Sequence, residues 1–335
     1  MKLSTYTGVR VLMAIPTLFI LLVVIFFLMR VLPGDPVAMM IGEKAPPQEI
    51  ERVRHILGFD RPLHEQFFSY IRAMLTGDFG ESLVTHRPVI GRLVDAYPVT
   101  LELAVLSIIL GVALGIPMGI IGALKKGLIA DHVLRVFTFG TYSMPSFWLG
   151  MIFQILFAWH LGILPVAGRL PATLNIPRLK GFVTIDSLLQ LRFDWFAESL
   201  KYLLLPSLTL ALSVLPRISR IVRSSVLDEM REEYITTARA KGIPERTIVY
   251  RHALRNALLP TLTVTGMTFA GLLGGVVLIE MVFSLPGLGR LLVDGLLNRD
   301  FPMVQAIVFV YAIVVVIVNT ITDVIYAILD PRVRY

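Results

Sequence analysis

Cysteine is absent from this chain of 335 residues, and charged side chains are scarce, at 16% of the total. Without cysteine the chain forms neither a disulfide framework nor a thiolate metal site. Apolar residues instead make up 56% of the chain, and its mean hydropathy is +0.75. These values lie far outside the range of water-soluble domains and indicate a membrane protein.

The sequence motifs of common catalytic centres are also missing. There is no GxxxxGK[ST] loop for a nucleotide phosphate, no HExxH helix, no serine nucleophile elbow and no paired-carboxylate signature. The histidines are scattered along the chain, which argues against a built-in metal site. We therefore expect no catalytic residue, metal or cofactor in this chain. Energy for any uphill transport has to enter from another chain.

Long apolar runs are the dominant feature that is present. A bilayer-spanning helix takes about 20 residues, and six runs reach that length, although five or seven spans are alternatives. The third run is overlong, and Pro145 within the polar stretch GTYSMPS predicts a kink or partial break there. The six runs are approximately 9–30, 97–123, 132–160, 200–223, 257–282 and 302–329.

Lysine and arginine are concentrated in alternate connections between these runs. With the N-terminus in the cytoplasm, every strongly basic connection is cytoplasmic as well, as the positive-inside rule requires. This rule explains the net charge of +7 without a nucleic-acid role, since no folded basic domain is evident. Arg217, Arg220 and Arg223 end the fourth run and are expected to reach lipid headgroups; substrate contact is the alternative. The other basic residues on this side are Lys2, Arg10, Lys125, Lys126, those of 224–256, Arg332 and Arg334.

A polar, basic segment, 224–260, lies between the fourth and fifth runs. Its acidic residues at 228–233 precede its basic residues at 239–241, an order that suits the macrodipole of one helix. Gly242 fits the left-handed position after a helix end, and Pro244 fits the first turn of the next helix. We therefore predict two short helices with a sharp corner, which together form a rigid knob that another protein can grip.

The connections on the opposite side are long enough to have structure of their own. Residues 32–96 are expected to form a small extracytoplasmic subdomain, since apolar residues recur at helical spacing between Ile50 and Leu57. Residues 161–199 form a second excursion of mixed character. The first run lacks a small-residue cleavage site and is expected to be a retained helix. The predicted divisions are an N-terminal transmembrane helix (1–31), the subdomain (32–96), a helical core (97–329) with the cytoplasmic loop 224–256, and a cytoplasmic tail (330–335).

The last outer connection, 283–301, reads FSLPGLGRLLVDGLLNRDF. Pro286, Gly287 and Gly289 break the chain here, and a brief amphipathic turn follows them. A loop of this type near a pore mouth acts as a gate or a docking surface. The alternative is a tight re-entrant cap that joins two helices.

Few ionisable or strongly polar residues lie within the apolar runs. Glu102 and Glu280 lie near outer ends, and Asn319 and Asp323 lie one helical turn apart near the inner end of the last run. Such residues are candidates for substrate contact. Alternatively they lie at the membrane interface or bond a neighbouring helix.

Small residues recur every four positions in the second and fifth runs. This spacing lets helix backbones approach closely and predicts a compact bundle, with a possible contact to a partner subunit. The residues concerned are Gly111, Gly115 and Gly119 in the second run, and Gly266, Ala270, Gly271, Gly274 and Gly275 in the fifth.

The segment 224–260 also resembles part of a known family. EYITTARAKG (233–242) followed by YRHALRNALLP (250–260) is similar to the cytoplasmic loop of ABC-importer permeases, in particular of the dipeptide/oligopeptide/nickel branch. The PGDP sequence and the 31–96 subdomain resemble the first, or B-type, of the two permease subunits in that branch. Further matches are LPGDP (32–36), LGFDRPLHEQF (57–67), GDFGESL (77–83), PVTLELA (98–104), YSMPSFWLG (142–150), FSLPGLGRLLVDGLLNRDFP (283–302) and DPRVRY (330–335).

The resemblance implies an all-α membrane protein with about six transmembrane helices and the type I ABC importer permease architecture. It implies a prokaryotic inner-membrane heterodimer with a second permease subunit. Two ATP-binding subunits on the cytoplasmic face would bind ATP and Mg²⁺, and an extracytoplasmic binding protein would deliver the solute.

In this interpretation the knob is a coupling helix seated in a groove of the ATPase. Ala238 and Gly242 would pack closely against the groove, and Arg239, Lys241 and Arg255 would pair with acidic or backbone groups there. The general pattern of such loops has EAA where this chain has Thr236-Thr237-Ala238, so the role of that glutamate does not transfer. The spacing from Gly242 to Pro260 is also longer than in the general pattern, and the TARAKG form of the dipeptide branch fits better. The residues assigned to coupling are Tyr234, Thr237, Ala238, Arg239, Ala240, Lys241, Gly242 and Arg255.

The expected function is import of short peptides by alternating access, with the energy supplied by the partner ATPase. Nickel complexes, glutathione and oligosaccharides are alternative substrates within the same architecture. An ion-coupled secondary carrier and a receptor or structural membrane subunit are alternatives from other classes.

Overall fold

Helices make up nearly all of the regular structure. The computed structural model describes residues 3–31, 37, 45–56, 58–171, 173–174, 176–177 and 179–329, and within these ranges the only β pairing is one isolated bridge, Glu81 to Pro88. The sequence matches at 32–36 and 330–335, and residue 57, lie outside the described residues. The helices are α1 (Leu3–Val31), α2 (Pro47–Ile56), α3 (Leu63–Thr76), α4 (Val89–Leu124), α5 (Ile129–Ser143), α6 (Ser146–His160), α7 (Val183–Leu189), α8 (Phe193–Glu229), α9 (Glu233–Ala240), α10 (Glu245–Ala257), α11 (Leu259–Val282), α12 (Leu288–Leu297) and α13 (Phe301–Leu329).

Each predicted span coincides with a helix or a pair of helices. By length and apolar composition, α1, α4, α8 and α13 can each cross a membrane, and α10 with the first part of α11 forms a further, bent candidate with an angle of 48°. The α4 helix begins at Val89 rather than at residue 97, and α8 extends beyond 200–223 at both ends. Both differences have one cause. The length of an apolar run reflects the thickness of the bilayer, whereas the helix continues into polar sequence outside the bilayer.

The predicted break in the third span is confirmed. Helix α5 ends at Ser143, and Pro145 directly precedes α6. Met144 has an extended backbone (φ −91°, ψ 133°), as expected for a residue before proline. The C-terminal half of α6, Gln154–His160, is π-helical.

The main core lies where α4 packs along α8. Gly111, Gly115 and Gly119 face α8, and a Cβ atom added at Gly119 would lie 2.6 Å from the Cβ of Val222. Only glycine permits this approach, so the prediction of close helix packing in the second span is confirmed. Leu103, Val214, Ile218, Val276 and Ile279 are buried in the same core.

The glycines of the fifth span are used differently. Gly266 packs against Thr322 of α13, whereas Gly271 and Gly274 have open space where a side chain would stand. Among the α11 glycines whose surroundings the structure describes, the predicted spacing therefore serves close packing at Gly266 and not at Gly271 or Gly274.

The predicted outer subdomain shares its core with the membrane helices. Phe26 of α1, Tyr70 and Met74 of α3, and Met303 and Ile307 of α13 belong to one buried cluster. The segment 58–88 is thus held between the first and last long helices. Helix α4 starts at Val89, within the predicted subdomain 32–96.

The connection 283–301 contains a regular helix. The expected brief turn is α12, a ten-residue helix that begins directly after Gly287. Its Gly295 lies against Val304 and Met303 of α13. The helix therefore folds back onto the bundle.

Candidate functional sites

The basic segment forms a helical corner at one end of α8. The corner, here called the knob, comprises residues 233–257: α9, a sharp turn, and α10. Gly242 in the turn has a left-handed backbone (φ +74°), as predicted. The amide of Ile243 donates to the Ala238 carbonyl at 3.3 Å, which closes the end of α9.

The knob has a small hydrophobic core of its own. Ile235 and Ala238 from α9 and Ile248 and Ala253 from α10 are buried together. Partly buried Met230 and Ile243 pack against them. Because the two short helices share this core, they are packed together as one unit.

Polar contacts fix the corner further. Arg239 donates to both carboxylate oxygens of Glu245, at 2.6 and 3.1 Å. This contact holds the pKa of the Glu245 carboxyl below its ordinary value. The Tyr234 hydroxyl donates to Glu229 at the end of α8, and Asn256 donates to Tyr234 at 3.3 Å. Partial burial, and then the bond to Glu229, raise the pKa of Tyr234 to about 12.

Two expectations about the knob are wrong. Ala238 does not face outward: it is only 7% exposed and packs into the core of the knob. The acidic and basic residues do not share one helix, because α8 runs on to Glu229 and α9 starts at Glu233. A third difference is that Pro244 directly precedes α10 instead of lying in its first turn. The coupling candidates with exposed side chains are Tyr234, Thr237, Arg239, Ala240, Lys241 and Arg255.

A second cluster surrounds Glu280 at the opposite end of the core. The buried carboxylate of Glu280 accepts hydrogen bonds from Thr100 Oγ1 at 2.6 Å and from the Arg290 amide at 3.0 Å. Thr100 Oγ1 in turn accepts from the Leu288 amide at 2.8 Å. A Cβ atom added at Gly287 would lie 2.2 Å from Glu280 Oε1.

This arrangement places a carboxylate at the N-terminus of α12, where the unpaired amides and the helix dipole favour an anion. Glu280 thus caps a helix that follows it in the chain, and Thr100 ties both to α4. The predicted candidates Glu280, Gly287 and Gly289 are brought together here, while Pro286 lies beside them with an exposed side chain. Their observed contacts fit a tight cap between helices.

Glu102 joins α4 to the 161–199 excursion. Its carboxylate accepts from Arg169 Nη2 at 2.7 Å and from the Thr184 amide at 2.7 Å, and the Thr184 hydroxyl also donates to it. Both carboxylate oxygens of Glu102 therefore have hydrogen-bond donors, and the residue links α4 to neighbouring segments.

The two predicted polar residues of the last span lie apart from both clusters. Asp323 forms an ion pair with Arg10 of α1 at 3.2 Å, with both side chains partly exposed. Asn319 is exposed. Neither residue approaches Glu102 or Glu280 through any contact in the described part of the chain.

Sequence reasoning missed one buried ion pair. Asp131 of α5 is 1% exposed and accepts two hydrogen bonds from the Arg223 guanidinium, each at 3.0 Å. Arg223 had been expected at lipid headgroups, whereas Arg220 approaches the ring of Tyr142, at 5.9 Å. The available signal was an acid and an arginine at the same end of adjacent spans. Within the described ranges, no three histidine or acidic side chains converge as a metal site requires.

A bundle of apolar helices with a rigid, exposed corner at one end defines a multi-pass membrane component. Comparison with known families gives the particular class. The family "binding-protein-dependent transport system inner membrane component" matches residues 115–335, and the N-terminal model for these membrane components matches residues 5–104. The chain belongs to this family and is an ABC-importer permease of the dipeptide family.

Individual relatives cover almost the whole chain. The di/tripeptide transport system permease protein DppB of Pseudomonas aeruginosa (strain UCBPP-PA14) is 40% identical over 322 residues, which cover 96% of both chains. The glutathione transport system permease protein GsiC of Escherichia coli (strain K12) is 38% identical over 330 residues, covering 98% of this chain and 99% of the relative.

A solved structure supports the fold. A chain of the MetNI methionine ABC transporter in inward-facing conformations superimposes with a TM-score of 0.55 at 18% identity, over 71% of this chain and 96% of that one. At this identity the likeness extends to the fold alone.

Proposed function

We propose that this chain carries short peptides across a prokaryotic inner membrane by alternating access, as one half of a permease heterodimer. The relatives that support this substrate class bear names of di/tripeptide and glutathione transport, and glutathione is itself a short peptide. In the proposed orientation both termini and the knob are cytoplasmic, and the Glu280 cluster is extracytoplasmic. A binding protein delivers the peptide on that outer side.

The observation that carries the proposal of ATP-driven transport is the construction of the knob. Its core and its Arg239–Glu245 pair make it rigid, while Thr236, Thr237, Ala240 and Lys241 present exposed side chains outside that core. A rigid convex element of this kind suits a groove in a partner. ATP and Mg²⁺ are bound by two ATPase subunits, and this chain contributes the element that they push.

The length of α8 explains how a movement of the knob reaches the outer side. The helix is continuous over 37 residues, which corresponds to about 55 Å. Its end at Glu229 is bonded to the knob through Tyr234. Displacement of the knob therefore tilts α8, and with it the tightly packed α4, as one unit.

The test uses Lys241→Glu in the assembled transporter of this chain, the second permease and the ATPases in proteoliposomes. Lys241 is exposed in this chain and is buried in the proposed complex. Charge reversal there should lower the affinity for the ATPase about tenfold, because the new carboxylate is buried without a partner of opposite charge. Peptide-stimulated ATP hydrolysis and uptake of a labelled dipeptide should fall together. Lys126→Glu makes the same change in a different basic connection and should alter neither.

Two results contradict the proposal. Normal ATPase binding by Lys241→Glu would exclude the exposed face of α9 as the coupling surface. If the wild-type transporter took up a non-peptide solute but no dipeptide, short peptides would be excluded as the substrate class.

A further inference from the structure

A charged cavity opens beside the Glu280 cluster. It has a volume of about 530 Å³ and lies between the start of α4, the segment around Arg169 and Gly181, and the first turns of α12. Pro286 and Gly287 form part of its wall. The volume is within the range of pockets that bind small molecules, roughly 300–1,000 Å³.

Two of its charged residues are committed to structural contacts. Arg169 is paired with Glu102 and donates to the Gly181 carbonyl at 2.7 Å. Asp186 is buried and accepts three backbone amides, from residues 179 to 181, at 2.9–3.2 Å. These residues shape the cavity and are not available to a ligand's charges.

Three other charged residues on the cavity wall have no such commitment. Arg92 belongs to α4, and Arg290 and Asp294 lie one turn apart on the same side of α12. Arg290 and Asp294 have exposed side chains, and Arg92 is half-buried. No side-chain hydrogen bond or ion pair joins any of the three to another described residue.

A further carboxylate on the wall, that of Asp95 in α4, is engaged in a contact of its own, and the rest of the wall is mainly apolar. Val99, Ile176 and Val183 are buried in the fold and line the cavity, together with partly buried Leu170 and Leu291. Among the residues without a contact of their own, the site thus offers a ligand two guanidiniums, the carboxylate of Asp294 and an apolar surface. A ligand that matches has an anionic group, a cationic group and apolar substituents within a few ångströms of one another.

We propose that this cavity binds the free termini of a short peptide, an inference that rests on the proposed function and adds a site to it. Arg92 and Arg290 hold the terminal carboxylate, since guanidiniums bind carboxylates through paired, charge-assisted hydrogen bonds. Asp294 holds the terminal ammonium, and the apolar wall receives the side chains. Because Arg290 and Asp294 belong to α12, a bound peptide contacts the helix that Glu280 anchors.

The experiment measures equilibrium binding of radiolabelled Ala-Phe to the complete transporter in lipid nanodiscs without binding protein. Ala-Phe amide and N-acetyl-Ala-Phe are the matched probes, because each lacks one terminal charge. Arg290→Gln should weaken Ala-Phe about tenfold and leave the amide unchanged. Asp294→Asn should weaken Ala-Phe about tenfold and leave the acetylated peptide unchanged. Arg72→Gln, an exposed arginine on α3 outside the cavity, is the control and should change nothing.

A variant that loses affinity for Ala-Phe but not for the probe without the matching terminal charge has lost recognition of that terminus. General damage to the fold would weaken all three probes. Equal loss for all three probes, or no loss for any, would overturn the inference. So would variants that weaken only docking of the binding protein, since the cavity would then be a protein contact. If wild-type transporter with its binding protein takes up Ala-Phe while the variants bind all probes normally, only this site fails. If wild type takes up no peptide, the proposed function fails.

Discussion

At the scale of single residues, Gly242 decides the shape of the knob. Its backbone is left-handed at φ +74°, and a Cβ atom there would meet nothing within 4 Å. A substitution therefore acts through backbone strain alone. We expect Gly242→Val to destabilise the corner by about 1–3 kcal/mol and Gly242→Asn by less, since asparagine tolerates this conformation. Peptide-stimulated ATP hydrolysis should fall in the order glycine, asparagine, valine.

Gly127 provides the matched control for that prediction. It also has a left-handed backbone (φ +79°) and open space around it, but it lies in the connection between α4 and α5. Gly127→Val should lower the thermal stability of the transporter by a similar amount without loss of coupling in the surviving protein. Equal uncoupling by both valine variants would show that strain anywhere, and not the knob, is responsible.

The sequence predicted backbone conformation where a single residue determines it, but it did not predict which side chains contact each other. The left-handed Gly242 followed from the end of an acidic-to-basic run. The inward direction of Ala238 did not, because an eight-residue helix with few apolar residues leaves its buried side undetermined. Asp131 and Arg223 are 92 positions apart, and only the packing of α5 on α8 brings them together.

At the scale of elements, α12 depends on a carboxylate from α11. The Glu280–Thr100 pair satisfies the amides of Leu288 and Arg290, which the helix itself leaves unpaired. We expect the isosteric change Glu280→Gln to raise hydrogen exchange of the Arg290 amide at least about tenfold. A bond to a charged acceptor contributes about 1.5–3 kcal/mol. The measurement is exchange with mass-spectrometric or NMR readout in detergent.

Thr100→Val makes this prediction specific. It removes the acceptor of the Leu288 amide while leaving the Glu280 carboxylate in place. Exchange should therefore rise most at Leu288 in this variant and most at Arg290 in Glu280→Gln. Amides in the middle of α13 serve as the internal control. A uniform increase along α12 in both variants would refute the capping arrangement.

The structure shows how the long stretch between Gly242 and Pro260 is accommodated. This stretch is longer than the general loop pattern of importer permeases, and in this chain it includes a π-helical stretch, Ile248–Ala253. The additional residues are thus accommodated within helix rather than in an extended loop. Periodicity of 3.6 does not reveal such a stretch, because a π-helix shifts the buried face within two turns.

At the scale of the whole molecule, the positions and order of the long helices were predictable, because apolar runs respond to one property, the thickness of the bilayer. Six runs were predicted to span the membrane, whereas four described helices, or five with the bent pair, are long and apolar enough to do so. The partners of those helices were only partly predictable. The glycines of α4 and α11 follow the same spacing, yet those of α4 pack tightly on α8 while Gly271 and Gly274 face open space. Small-residue spacing permits close approach but does not specify the neighbour. In the proposed heterodimer, the open face of α11 is free to contact the second permease.

The proposed orientation is open to a direct test, because the chain has no cysteine and any engineered thiol is unique. Lys241→Cys and Gln190→Cys place thiols on the knob and on the 161–199 excursion, at opposite ends of α8. Lys241 has an exposed side chain, and the partly exposed Gln190 gives up two hydrogen bonds to the backbone carbonyls of Pro177 and Asp186, so only a small effect on folding is expected. A membrane-impermeant maleimide should label Gln190→Cys in intact spheroplasts and Lys241→Cys only in inverted vesicles. The positive-inside distribution of lysine and arginine is the physical reason. The reverse labelling pattern would place the knob outside the cell, where no ATPase can reach it, and would overturn both the topology and the coupling mechanism.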